Sequence, residues 1–536
     1  MQAAAAFLNL SFSSSLLLPP PFKTLKPSDP FFNCNPKTLT PIFRPVLKHN
    51  NSRRNAIQAA SSSKAKSSKN NRRRPSRRSA IKKSFSQEQL IFNAPISNDP
   101  NVAIIGGGMS GLLCALGLEK RGVRSTVFDS GMHGLGGRMG TRIIDPQPLI
   151  FDHAAQFFTV SDSRFGKLVD GWIERGLVRE WCGPIGELET GGYFKPMASS
   201  SPRFIGVSGM RPLADSILSQ TGMVNVVRPC WISALDPFNG MWHLSENGKP
   251  RGQFDAIVIA HNGKCANRLL ASSGLPLIAR QMKRLELSSI WALLAAFEDP
   301  LPIPSSTSGT PFEGAFVKGV DSVSWMANNT KKLFPSQSKG PQCWTFFSTA
   351  AYAERNKVPQ EYIPNIRAEK VKAGMLEGVE MALGLSPGSL QRPFYSRVQL
   401  WGAALPTNTP GVPCIFDPLG RAGICGDWLL GSSLEASALS GMALADHIAD
   451  YLQSGGAQPD EFALGLHNEF QLIDGHDIGQ FPEDCAFMEV KAISNQDSNL
   501  REMLCRLFAK SIQKKLQVYL LAIGALAAII RKSEIV

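Results

Sequence analysis

The pattern of apolar and polar positions changes abruptly at Asn101. Residues 102–105 (Val-Ala-Ile-Ile) are apolar without interruption, as in a strand buried on both faces. Residues 112–118 continue as an apolar helix, and residues 123–128 form a second short strand. Residues 257–260 (Ile-Val-Ile-Ala) read as another buried strand. Near the end, residues 499–530 read as one helix, with an unbroken apolar run at 518–530. Residues 1–60, rich in Ser, Pro and small apolar residues, show neither helical nor strand order.

Composition refines this picture. A chain of 536 residues is too long for one small domain and fits two or three. Hydrophobic residues at 43% supply a sizeable core, and charged residues at 19% exclude global disorder. The net charge of +14 is localised: residues 1–87 hold 17 Lys and Arg against one acid, Asp29. The remainder is close to neutral, which argues against nucleic-acid binding. The start is acid-poor and hydroxyl-rich, and its first Lys is Lys23. That is the composition of an organelle transit peptide, with the plastid favoured. We expect a transit peptide over 1–60, a disordered basic linker over 61–97, and a chloroplast location. The ten cysteines form no C-x-x-C pair and no Cys/His cluster, so reduced thiols and no metal site are expected.

Gly106-Gly107-Gly108-Met109-Ser110-Gly111 joins the first strand to the helix, and Asp129 ends the second strand. This strand, G-x-G-x-x-G, helix, strand and acid predict a dinucleotide site. Gly106 makes the tight turn, Gly108 lets backbone approach a pyrophosphate, and Gly111 lets the helix lie close to the strand. The helix start offers free N–H groups and a positive dipole end to the phosphates. Asp129 can accept from ribose hydroxyls. A second glycine turn, Gly134-Leu135-Gly136-Gly137-Arg138, follows shortly. A second clamp with an Arg fork suits a tightly held FAD better than an exchanging nicotinamide cofactor.

The Gly-Gly-Arg after such a start resembles the flavin-containing amine oxidase superfamily, which includes phytoene-desaturase-type enzymes. Phe151-Asp152-His153-Ala154-Ala155-Gln156-Phe157-Phe158-Thr159 resembles a block of its renalase-like branch. Gly426-Asp427 with the following Leu434-Glu435 stretch resembles the C-terminal FAD block. The resemblance runs from about residue 100 to 453. It implies an α/β fold with a discontinuous Rossmann-type FAD-binding domain over 98–160, 204–280 and 410–455. An α+β substrate domain with an antiparallel sheet would occupy 161–203 and 281–409. Residues 456–536 would form a C-terminal extension. By position, Gly106, Gly108, Ser110, Gly111, Asp129, Gly137 and Arg138 would hold the ADP half. Trp231 would contact adenine through its backbone. Gly426 and Asp427 would meet the ribityl chain or pyrophosphate, with the Leu434–Glu435 helix start aimed at the flavin. Gly134 stands where many members have Arg, so one phosphate contact is missing. No S-G-G-C sequence for covalent attachment occurs, so FAD would be non-covalent.

The flavin itself accepts the hydride, so the chain need supply little beyond orientation. His153 and Gln156 are candidates for a direct role, against the simpler alternative of structural side chains. Trp291, Trp325 and Trp401 are candidates to wall a substrate cavity, against the alternative of core. No lysine stands out as an oxygen-activating group. The resemblance implies a small electron donor, a dihydronicotinamide such as an isomer of NAD(P)H, or an amine, with O2 or another acceptor. An isoprenoid desaturase or isomerase, and a catalytically idle flavin-binding scaffold, are the alternatives. The 13-residue apolar run at 518–530 falls short of the roughly 20 needed to span a bilayer. Three fates stay open for 499–532: a helix packed on the body, a peripheral contact with a plastid membrane, or a marginal span.

Overall fold

The computed structural model describes residues 87–145, 149–197, 201–303, 311–337 and 339–473. The expected transit peptide, residues 61–86 of the expected linker and the helix at 499–530 lie outside the described residues. Residues 87–97, expected as disordered linker, instead pack on the body: Leu90 N–H donates to the Gly274 carbonyl at 2.8 Å and Ser97 N–H to Asp255 at 3.0 Å, because Leu90 and Phe92 bury apolar surface there. Among the described residues, no helix is long and apolar enough to cross a membrane.

In chain order, the elements that build the site are strand β1 (Asn101–Ile105), helix α1 (Met109–Lys120) and strand β2 (Arg124–Phe128). Next come the hairpin strands β3 (Thr141–Ile144) and β4 (Leu149–Asp152), then β5 (Val224–Val227) and β6 (Ala256–Ile259). Strands β7 (Leu287–Phe297), β8 (Tyr395–Pro406), β9 (Ile415–Asp417) and β10 (Ala422–Ile424) follow, with helix α2 (Asn365–Leu383) before β8 and α3 (Leu434–Gln453) at the end.

The first sheet is six-stranded, in the order β9-β10-β6-β1-β2-β5, and parallel except for β9. Its strand β1 is apolar from Val102 to Ile105 because both faces are covered there. Val102 and Ile104 face α1 and α3, while Ala103 and Ile105 face a cluster with Trp242 and Ile278. Helices α1 and α3 approach closely because glycines remove the intervening side chains. A Cβ at Gly441 would stand 2.1 Å from the Ser110 carbonyl oxygen. Thus α3 is clamped against α1, although Gly441 and Ser110 lie far apart in sequence.

The second sheet has seven strands with β8 at its edge and β7 beside it, all antiparallel save one pair. One face, carrying Trp291, Leu293 and Trp344, packs against α2 through Val371, Met375 and Val379. The other carries Ile290, Ala292 and Trp325, and beyond them Leu294 and Ala296, which pack against Leu149 and Phe151 of the hairpin. The protein is therefore an α/β molecule with a Rossmann-type sheet and a largely antiparallel second sheet. The β3–β4 hairpin sits where the two meet.

Candidate functional site

The three glycines of the first turn do different work. Gly106 adopts φ +122°, and a Cβ there would stand 2.7 Å from the Ala260 carbonyl oxygen. A Cβ on Gly111 would stand 2.0 Å from the Gly106 carbonyl oxygen. Both are required by the fold itself. A Cβ on Gly108 would meet nothing within 4 Å, so the space beside it is open. Gly108 also precedes α1, and no side chain caps that helix start, which leaves its first turn open to an anion. Ser110 is buried in the first turn.

The second glycine turn lies directly against the first. The Gly136 N–H donates to the Gly107 carbonyl at 2.7 Å, and Gly137, at φ +54°, turns the chain toward Arg138. Asp129 accepts from the backbone N–H groups of Gly107 at 2.8 Å and Gly131 at 2.7 Å. Each carboxylate oxygen keeps a lone pair for a hydroxyl. The Gly134 position is crowded by Arg211, whose Cδ lies 2.6 Å from where a Cβ would stand. A guanidinium thus lies nearby despite the missing Arg at 134.

Arg138 reaches across to Asp427, which is almost fully buried, at 2.6 Å, and also donates to the Ala404 carbonyl at 2.7 Å. Burial opposes the charge on Arg138, but Asp427 outweighs it and holds the guanidinium above its ordinary range. Gly426 is fixed beside them, its N–H donating to Ser440 Oγ of α3 at 3.0 Å. Residues far apart in sequence, Gly106–Gly111, Arg138 and Gly426–Asp427, are thus brought together.

His153 follows β4. Its ring stacks on Trp401 at 5.5 Å and 10°, and the Trp401 indole N–H donates to the His153 carbonyl at 2.9 Å. Burial, reinforced by the nearby Arg142, pushes the His153 imidazole down to about 4. It is therefore neutral near pH 7, and its Nδ1 is buried without a partner. The Gln156 amide N–H groups donate to the carbonyls of Asp152 at 2.8 Å and Ala154 at 3.0 Å, shaping this loop, while its Oε1 is buried and unpartnered.

Two expectations need correction. Trp291 is fully buried on the α2 face of the second sheet and walls no cavity. The Trp231 backbone N–H is already given to Glu246 at 2.8 Å, so that donor is not free for adenine. The Glu435 carboxylate accepts from Ser161 N–H at 2.9 Å and Asp162 N–H at 2.5 Å, tying the start of α3 to residues 161–162. Leu434 is half-buried against the main core. Trp325 lies on the hairpin side but is buried beneath Phe157, with ring centres 6.0 Å apart. Trp401 alone of the three tryptophans keeps partial exposure beside His153.

Lys332 escaped the sequence reading. It is completely buried, and its Nζ donates to Asp152 Oδ2 at 2.7 Å and to the Gln156 carbonyl at 3.3 Å. Burial pushes its amine below the ordinary lysine range, and Asp152 opposes that shift. The other Asp152 oxygen accepts from Thr141 Oγ1 at 2.6 Å and Met210 N–H at 3.0 Å. The signal was Asp152 itself: an acid ending a buried strand demands a counter-charge. Among the described residues, no cluster of His, Cys, Asp or Glu could hold a metal ion.

Residues 104–172 match the NAD(P)-binding Rossmann-like domain. Among solved structures, a protein from Exiguobacterium sp. 255-15 described provisionally as a protoporphyrinogen oxidase superposes with a TM-score of 0.50 at 11% identity, over 66% of this chain and 99% of that one. Cyclohexylamine oxidase from Brevibacterium oxydans IH-35A gives 0.47 at 14% identity, over 66% and 100%. Reduced UDP-galactopyranose mutase gives 0.48 at 11% identity, over 68% and 97%. At such identities the first superposition speaks to the fold alone, and the other two add no argument.

Proposed function

We propose that the chain is an FAD-dependent oxidoreductase that holds FAD non-covalently and oxidises a small donor, a dihydronicotinamide or an amine, with O2 or another acceptor completing the cycle. The observation that carries this is the joining of the two glycine turns beside the Arg138–Asp427 pair. The open space at Gly108 and the uncapped start of α1 fit a diphosphate. Asp129 suits a ribose, and the Arg138 fork lies next to both. When bound, FAD supplies the hydride acceptor.

The chain's own residues do the rest. Asp152 and Lys332 lock the 152–156 loop in place. His153 stays uncharged near neutral pH, so it orients by hydrogen bonding and stacking rather than by delivering a proton. Partly exposed Phe157, Met197, Trp401 and Leu405 give the hairpin side an apolar lining that excludes water. We also propose that residues 1–60 direct the chain to the chloroplast.

The test uses Gly108→Val. Gly108 has φ −77° and open space, so a side chain is accommodated by the fold but fills the room a diphosphate needs. The wild-type protein is expected to purify yellow, with absorbance near ~450 nm that bleaches anaerobically with a dihydronicotinamide or an amine. The variant is expected to be colourless and to melt as FAD-stripped wild type does, since bound FAD itself stabilises the fold. A colourless wild type that refuses added FAD would defeat the proposal.

A further inference from the structure

The hairpin and the edge strand β8 turn matching faces toward each other. In β3–β4, Arg142 stands directly opposite Phe151, so both side chains share one face. In β7–β8, Tyr395 and Arg397 stand opposite Ala296 and Leu294, the residues that pack against Leu149 and Phe151. The rings of Phe151 and Tyr395 stack at 5.7 Å, closing one end of this seam, and His153 on Trp401 closes the other. Arg142 and Arg397 lie between.

Two like charges are thus placed together with no acid between them. Neither guanidinium makes an ion pair or a hydrogen bond among the described residues. Arg142 is half-buried, and its Nε is shut off from solvent without an acceptor. An orphaned buried donor is unfavourable until an acceptor reaches it. Burial, and then the neighbouring Arg397, hold the Arg142 guanidinium below its ordinary range. Arg397 is exposed. An open cavity of about 400 Å³ that touches it lies on the α2 face, across the strand from the seam, and holds Glu361 and Glu369. Glu369 is taken by Lys372 at 2.5 Å, and neither acid is within ion-pair reach of Arg397. Arg211, the next guanidinium, already faces Asp215 at 3.7 Å.

We propose that Arg142 and Arg397 form an anion subsite, in which the two guanidinium groups take a carboxylate or phosphate of the donor beside the aromatic wall of Tyr395 and Trp401. The donor is then an anionic small molecule, not a plain amine. Planar forks favour bidentate contact with either oxyanion, and a bound anion relieves both the repulsion and the orphaned Nε. As an assignment of donor class, this rests on the flavin reading of the site; as an anion site, it stands without it.

Calorimetric titration of the full chain with benzoate, inorganic phosphate and neutral benzamide tests it. Benzoate or phosphate is expected to bind, and Arg397→Gln or Arg142→Gln to weaken that binding at least tenfold without changing benzamide. Tighter binding of benzoate assigns a carboxylate donor; tighter phosphate assigns a phosphorylated one. Arg397 is exposed, so Arg397→Gln stays interpretable even should Arg142→Gln fold poorly. Anions that bind no better than benzamide, or a double variant with wild-type anion affinity, overturn the proposal. In a second arm, flavin reduction by dihydronicotinamide mononucleotide is compared with its uncharged riboside. A preference for the nucleotide that disappears in Arg397→Gln, at unchanged flavin content, supports a phosphorylated donor. A colourless protein would sink the flavin reading while leaving the calorimetric test intact.

Discussion

Asp152 and Lys332 on one side of the hairpin, and Arg142 and Arg397 on the other, treat charge in opposite ways. Asp152 and Lys332 are fully buried, opposite in sign and 2.7 Å apart, and Thr141, Met210 and Gln156 satisfy their remaining oxygens and protons. Arg142 and Arg397 are alike in sign, partly open and unpaired. The first arrangement is complete without a ligand, and opening it exposes a naked charge to a dry interior. The second leaves donors unmet and gains from an incoming anion. Structural charge and ligand-directed charge are told apart by whether partners are already present.

Breaking the complete side has the largest effect. Lys332→Met should destabilise the protein by about 3–5 kcal/mol in urea unfolding, because Asp152 is left unpaired. Adding Asp152→Asn should recover part of that loss. A single variant as stable as wild type would erase the contrast.

Next comes His153, between the two regions. Its pKa is about 4 in the fold against 6.5 in the open chain. Below pH 6.5 the unfolded chain takes up a proton that the folded site refuses. Stability should therefore be level above that pH and fall as pH drops toward 4, by at most about 3 kcal/mol. The gap between unfolding midpoints at pH 7.5 and pH ~4.5 should narrow in His153→Gln, with burial of His261, whose imidazole is also held down, keeping part of it. An unchanged pH dependence in that variant would refute a neutral, buried imidazole.

Thr345→Val should cost about 1–2 kcal/mol. It removes the hydroxyl that donates to the Asp152 carbonyl at 2.9 Å and accepts from Asn329 Nδ2 at 2.8 Å. Smallest of all, Arg397→Gln should change unfolding stability by no more than about 0.5 kcal/mol, and in the stabilising direction, since it removes a like charge. A large loss there would mean that Arg397 is structural.

The dinucleotide motif was legible because its parts are neighbours. Strand, turn, helix and acid lie within residues 101–129, and each glycine has a local job. Even so, the distinct roles of Gly106, Gly108 and Gly111 emerge only from what surrounds them. Trp291 and Trp401 look alike in sequence, but they point to opposite faces of one sheet, and the bulge between Ser288 and Ile290 shifts the register there. Lys331 and Lys332 are adjacent, yet Lys332 alone is wholly buried. A Lys-Lys pair after Asn-Thr looks like an ordinary solvated turn, so nothing local marked the second lysine.

The amino-acid order by itself determined the buried parallel strands, the glycine turns and the acid after β2, since these follow from periodicity and from contacts between close neighbours in the chain. Only the tertiary structure decided that Arg138 meets Asp427, that Lys332 answers Asp152, and that Arg142 and Arg397 share a seam. Those pairs join residues 180 to 289 positions apart, or strands of different sheets. No local pattern encodes such distances; the closing of the two sheets around the hairpin does.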